Sequence, residues 1–203
     1  MNPAKITLSE EELELVQNAR VLLTKNTIIE KVYALFGEIA HHIRDQVWQH
    51  QWALPPEVAA TDPKISRGEN YKGLPYVMLD YPRLFGKENV FAIRLLFWWG
   101  NFFSVTLHLK GQYKQLYVSN IKKQWERATK AGIYISIGND EWRHDFEADN
   151  YIPLHLVGAG AVEEVLSAHE FCKLSARIPL HQWDEAPVLL PEMYGVLLAI
   201  AGC

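Results

Sequence analysis

The sequence predicts an α+β fold: an N-terminal antiparallel helix pair packed on a largely antiparallel sheet, with further covering helices. Three observations carry this. Apolar residues recur at helical spacing through the first fifty positions. Strand-like runs then succeed one another without crossover helices, which implies antiparallel neighbours. Finally, 203 residues that are 49% hydrophobic and 22% charged suffice for one domain with a sizeable core.

Ser9 and Glu12 fit a capping box, and Leu15, Val16, Ala19, Leu22 and Leu23 follow at helical spacing. Thr27 with Glu30 repeats the box and opens a second helix. Its inner face carries Ile28, Val32, Leu35, Phe36, Ile39, Ile43 and Val47, and it runs towards Trp52 before Pro55–Pro56 stops it. Together they form a helical hairpin over 1–53 with a shared apolar stripe. Residues 54–74 read as a long loop. Sheet and helices share 75–203: strands in "PYVMLDY", "FAIRLLFWW" and "FFSVTLHLK", then a helix ending at Gly132. Strands "IYISI" and "NYIPLHLV", a helix over 160–173, strand "ARIPLHQW" and a closing helix from Pro191 complete the order.

Charge is uneven along the chain. Residues 1–59 carry a net −3, residues 60–130 a net +7 (12 Lys/Arg against 5 Asp/Glu) and residues 131–203 a net −8 (3 against 11). The basic middle is expected to dock on the acidic end. Two cysteines, Cys172 and Cys203, make no disulfide framework, and the N-terminus has no apolar signal core, so a cytoplasmic location is expected. The run "VLLPEMYGVLLAIAG" is interrupted by Pro191, Glu192 and Gly195 and reads as a buried helix, with no membrane partner.

Read as a two-residue loop, Gly100–Asn101 pairs Trp99 with Phe102, Phe97 with Ser104, and Ile93 with His108. One face then gathers Phe97, Trp99, Phe102, Ser104, Thr106 and His108, a mixture that suits a ligand cleft, a homodimer interface or a second packing layer. The other face is apolar except for Arg94, which must be buried against a carboxylate. Arg67, Glu69, Asn70, Tyr71 and Lys72, bracketed by Gly68 and Gly73, form a polar hinge-flanked loop expected to cover the aromatic face.

Chemistry is less marked. Ile-Pro-Leu-His occurs at 152–155 and again at 178–181, and His108, His155 and His181 raise the question of a three-histidine metal site. The prolines put His155 and His181 at strand edges or entries, so the three are expected to stay apart, with no metal and no cofactor. Glu38-x-x-His41 lacks a companion on a facing helix, and Gly158-Ala159-Gly160 has Glu163 where a third glycine would stand. Lysines from 114 to 130 make a solvated helix face rather than a nucleic-acid stripe. The leading expectation is a ligand- or partner-binding module, its partner a small molecule or a protein. The alternative is an enzyme on a small anionic substrate, with His108 as general base or metal ligand and Arg67 or Arg94 holding the anion.

Overall fold

A computed structural model describes residues 6–49 and 53–202, apart from the side chains of Gln49 and Ala159. The first helix, α1 (Glu10–Gln17), is followed after one residue by α2 (Ala19–Gln49). The capping box at Ser9 is formed, with the Glu12 amide donating to Ser9 Oγ at 3.2 Å and the Ser9 amide donating to Glu12 Oε2 at 2.7 Å. The second box is not. Thr27 lies inside α2, where its hydroxyl donates to the Leu23 carbonyl at 3.1 Å.

α2 seats Ile29, Val32, Phe36, Ile39, Ile43 and Val47 in the main core. α1 buries none of its residues, so the shared stripe between two helices is not made. The link explains why: Asn18 alone joins them, and a helical hairpin takes two to five residues to turn back.

Seven strands form one sheet in the order β1-β2-β3-β4-β7-β5-β6, and every neighbouring pair is antiparallel. They are β1 (Lys64–Tyr71), β2 (Leu74–Phe85), β3 (Val90–Trp98), β4 (Phe102–Lys110), β5 (Tyr134–Ser136), β6 (Tyr151–Pro153) and β7 (Phe171–Pro179). The α+β class holds. The expected 54–74 loop is instead a short helix, α3 (Pro56–Ala59), and strand β1, which turns into β2 through Lys72 (φ 49°) and Gly73 (φ 81°). Two positive φ values suit a two-residue hairpin turn.

The register of β3 with β4 corrects the face assignment. Trp98 pairs with Phe102, so the loop is Trp99–Asn101, three residues rather than two. A one-residue slip moves every side chain of one strand to the opposite face relative to the other. Phe91, Ile93, Leu95 and Phe97 therefore lie with Phe103, Val105, Leu107 and Leu109. This face is wholly apolar. It packs under α2, α4 (Gln112–Lys123), α5 (Trp125–Lys130) and α7 (Ala186–Ala201).

The helix expected over 160–173 is shorter, α6 (Val162–Ser167), and β7 follows it to insert between β4 and β5. Both Ile-Pro-Leu-His copies do the same thing. Pro153 and Pro179 end β6 and β7 and, with φ −63°, cap 3₁₀ turns that carry the leucine and histidine.

The basic middle does meet the acidic end: Lys72 pairs with Glu147 at 2.6 Å, Lys110 with Glu141 at 2.7 Å, and Lys122 with Glu163. Cys172 is a buried free thiol, pushed up to about 12 by burial, and Cys203 lies outside the described residues. No helix among the described residues is long and apolar enough to cross a membrane.

Candidate functional site

Away from the helices, the second face of the sheet has a gradient. At one end Met78, Leu96, Trp98 and Phe102 form an apolar cluster with Tyr71, Tyr76 and Phe146 against it. In the centre, alternation along the strands brings Asp80 (β2), Arg94 (β3), Thr106 and His108 (β4), and Lys173 and Ser175 (β7) to the same side. All except Arg94 are buried, and its side chain is 16% exposed.

What covers them is residues 137–150, a segment with no helix or strand of its own. Connections of this length inside a compact domain are uncommon and tend to be functional. Four side chains of the segment reach in. His144 accepts from Arg94 Nη1 at 3.2 Å, Glu141 accepts from His108 Nε2 at 3.1 Å, and Asp145 accepts from the Tyr71 hydroxyl at 2.9 Å. Phe146 stacks on Tyr151, with ring centroids 4.7 Å apart. Arg143 ties the segment to itself, donating to Asp145, Glu147 and Asp149.

Most buried charges here are paired. Arg94 grips Asp80 with Nε at 2.6 Å from Oδ1 and Nη2 at 2.9 Å from Oδ2, the bidentate geometry that suits a guanidinium. Burial alone would raise the Asp145 carboxyl, but hydrogen bonds from Arg143, Tyr71 and Lys72 hold it well below the usual carboxylate range.

Lys173 is the exception. It is 1% exposed, its Nζ donates to the Arg143 carbonyl, and the Tyr151 ring centre lies 5.4 Å away. It forms no ion pair within 4.0 Å among the described residues. Burial, then the nearby Arg94 charge, push its amine down to about 7. Ser136, opposite Tyr151 in the β5–β6 register, is also buried, and its hydroxyl has no protein partner.

Both imidazoles of the cluster stay neutral. His108 is driven down to about 3 by burial, followed by Lys173, Arg94 and Lys110. Glu141 would favour its charged form, but that carboxylate is already engaged by Lys110. Burial and the same Lys173 and Arg94 charges hold His144 well below its ordinary value. A neutral pair beside cations can donate or accept hydrogen bonds without adding charge.

Residues singled out by sequence are only partly united. Phe102, Ser104, Thr106 and His108 share the second face, whereas Phe97 belongs to the helix-side core and Trp99 sits in the turn, packed on that core. The three-residue turn is the reason. Arg94, expected to be the anomaly of an apolar face, is largely buried and paired with a carboxylate as predicted but belongs to the polar face.

Arg67, Glu69, Asn70, Tyr71 and Lys72 form a strand and its turn, not a loop. Arg67 lies over the Tyr33 ring of α2 and Glu69 pairs with Lys25, on the helix side. Asn70 Oδ1 accepts from the Gly73 amide within the turn. The β1 register shifts between Gly68 and Tyr71, and Tyr71 meets Trp98 edge-on at 5.1 Å on the second face. It does touch an aromatic of the hairpin, as expected, but 137–150 provides the cover.

Of the three histidines, His108 is buried, while His155 and His181 are exposed in their 3₁₀ turns. Among the described residues, the one group of three or more His, Cys, Asp or Glu close enough to share an ion is Asp145, Glu147 and Asp149, and Arg143 already binds all three.

Sequence reasoning missed Lys173 because a helix was read through it. The signal was present: in "FCKLSARIP" apolar residues fall at 172, 174, 176 and 178 against Lys173, Ser175 and Arg177. Comparison of the chain with family models, curated proteins and solved structures finds no match.

Proposed function

We propose that this protein is a ligand-binding module whose site is the second face of the sheet beneath residues 137–150. Its ligand is a small molecule that carries a carboxylate or phosphate on an apolar or aromatic body. The carrying observation is Lys173, a buried amine without an ionic partner in a cluster where the other buried charges have one. Burial disfavours the charged amine and holds it down to about 7, and an incoming anion would favour its protonated form. The unpartnered Ser136 hydroxyl beside Tyr151 supplies a further donor. The apolar end at Met78, Trp98 and Phe102 suits the ligand's body.

Binding requires the 137–150 segment to lift. Arg143 braces it internally, so it would move as a unit once Tyr71, Lys72 and Lys110 release its acidic rim.

A second reading is an enzyme at the same place. An amine pushed down to about 7 is largely a free base just above neutrality, and Lys173 could then serve as a general base or nucleophile beside neutral His108.

Thermal melts of the wild type and Lys173→Met, with phosphate, benzoate or phenyl phosphate added, test the binding reading. The wild type should melt higher with phenyl phosphate than with phosphate alone, and Lys173→Met should not respond. Equal responses in the two proteins would remove Lys173 from any site. Without ligand the variant should be the more stable protein below pH 7. The sign follows from linkage: between pH 7 and 10.5 the unfolded chain holds the lysine proton and the folded one does not, so wild-type stability rises there. The variant's advantage should close over the same window.

A further inference from the structure

The apolar stripe of α2 outruns the sheet it packs on. Leu22, Ile29, Phe36 and Ile43 stand seven residues apart and so share one helical face, with a drift of about 20° per step. Ile29, Phe36 and Ile43 are buried, but Leu22 is 63% exposed. Val21 and Leu23 beside it are exposed too, as are Ile6, Leu8, Leu13, Leu15 and Val16 of the α1 region. Eight large apolar side chains within eighteen residues are thus exposed, and apolar groups gathered this densely mark interaction surfaces. α1 is only eight residues long and buries nothing within a single copy. Helices this short do not persist in water without packing.

Charge indicates the occupant. α1 carries Glu10, Glu11, Glu12 and Glu14 with no basic residue, while residues 19–31 of α2 carry Arg20 and Lys31 against Glu30, besides Lys25, which already pairs with Glu69. An antiparallel pairing of two identical arms sets acidic α1 on the basic start of α2, twice, about one two-fold axis. A bilayer fits poorly, because its anionic headgroups would repel α1.

We propose that the α1–α2 arm is a self-association surface, and that a second copy of this chain covers it in a two-fold, antiparallel helical pairing. The arm lies apart from the 137–150 segment and does not depend on the ligand reading above.

Sedimentation of the full chain over a concentration series should show a dimer. Leu15→Asp/Leu22→Asp should be monomeric while keeping a cooperative melt, since both positions are exposed within one copy. Two charge reversals give the sharper test, Glu11→Lys/Glu14→Lys in one protein and Arg20→Glu/Lys31→Glu in another. Each alone sets like charges together and should be monomeric; mixed, they should form a heterodimer. A wild type that stays monomeric at all concentrations would overturn the proposal, as would a dimer that survives Leu15→Asp/Leu22→Asp. A mixture that does not associate would overturn the antiparallel pairing, and monomeric protein on phosphatidylserine vesicles would identify a membrane surface instead.

Discussion

On the helix side of β4, Phe103, Val105, Leu107 and Leu109 meet apolar neighbours from two further strands, β3 and β7, and from α2 and α7. On the other side of the same strand, Phe102, Ser104, Thr106 and His108 pass from an aromatic end to a charged centre under an irregular segment. The two faces share one backbone ladder, so they share its hydrogen bonds. Their difference lies in the side chains: one face is held by area removed from water, the other by geometry between charges. Non-directional packing tolerates small changes of shape, while a buried ion pair fails when either member is lost.

The largest expected effect is on the packed face. Phe103→Ala removes a ring that touches Phe36, Phe97 and Trp183, and should cost about 4 kcal/mol in denaturant unfolding, with an unchanged slope. A cost under about 1 kcal/mol would mean that the two faces do not divide the stability as described.

Next comes the ion pair. Arg94→Met leaves Asp80 buried and alone, and should cost roughly 3 kcal/mol. Adding Asp80→Leu should recover most of that loss, because an apolar pair removes the stranded charge. If the double variant is as unstable as the single, Arg94 contributes packing rather than pairing.

The smallest effect is a pH difference. His108 titrates near 3 in the folded chain and at 6.5 when unfolded, so between these values only the unfolded state gains the proton. Stability should therefore fall as pH drops from 6.5 towards 3, by about 2 kcal/mol at pH 5 from this group. His108→Gln should flatten that acid limb, measured as melting temperature against pH. An identical limb would place the titration elsewhere, with His144 the first suspect.

Class, the long helix and the β3–β4 hairpin were legible because each has a strong local period. Register was not. Trp99 reads as the last strand residue by its aromatic character, and nothing local distinguishes a turn of two residues from one of three. That single residue decided which side chains stand beside His108. β1 was missed for a different reason: "KISRGENY" is an edge strand that stays largely polar on both sides, so it has no alternation to read. Lys173 was hidden by a helical reading that ran a few residues too far. The covering segment gave no periodic signal, because irregular backbone is positioned by side-chain contacts distant in sequence, such as Tyr71 with Asp145.

The sheet's two margins bear on solubility. An open sheet presents unpaired amides and carbonyls at its outer strands, a template on which other chains can add. Here one margin is β1, studded with Lys64, Arg67 and Glu69 and broken in register near its end. The other is β6, three residues long and closed by Pro153, which has no amide to offer. Both margins are thus poor templates for strand addition, and destabilised forms of this protein should resist fibril growth from native edges. A seeding assay with β6 extended by Pro153→Val would show how much of that resistance one proline supplies.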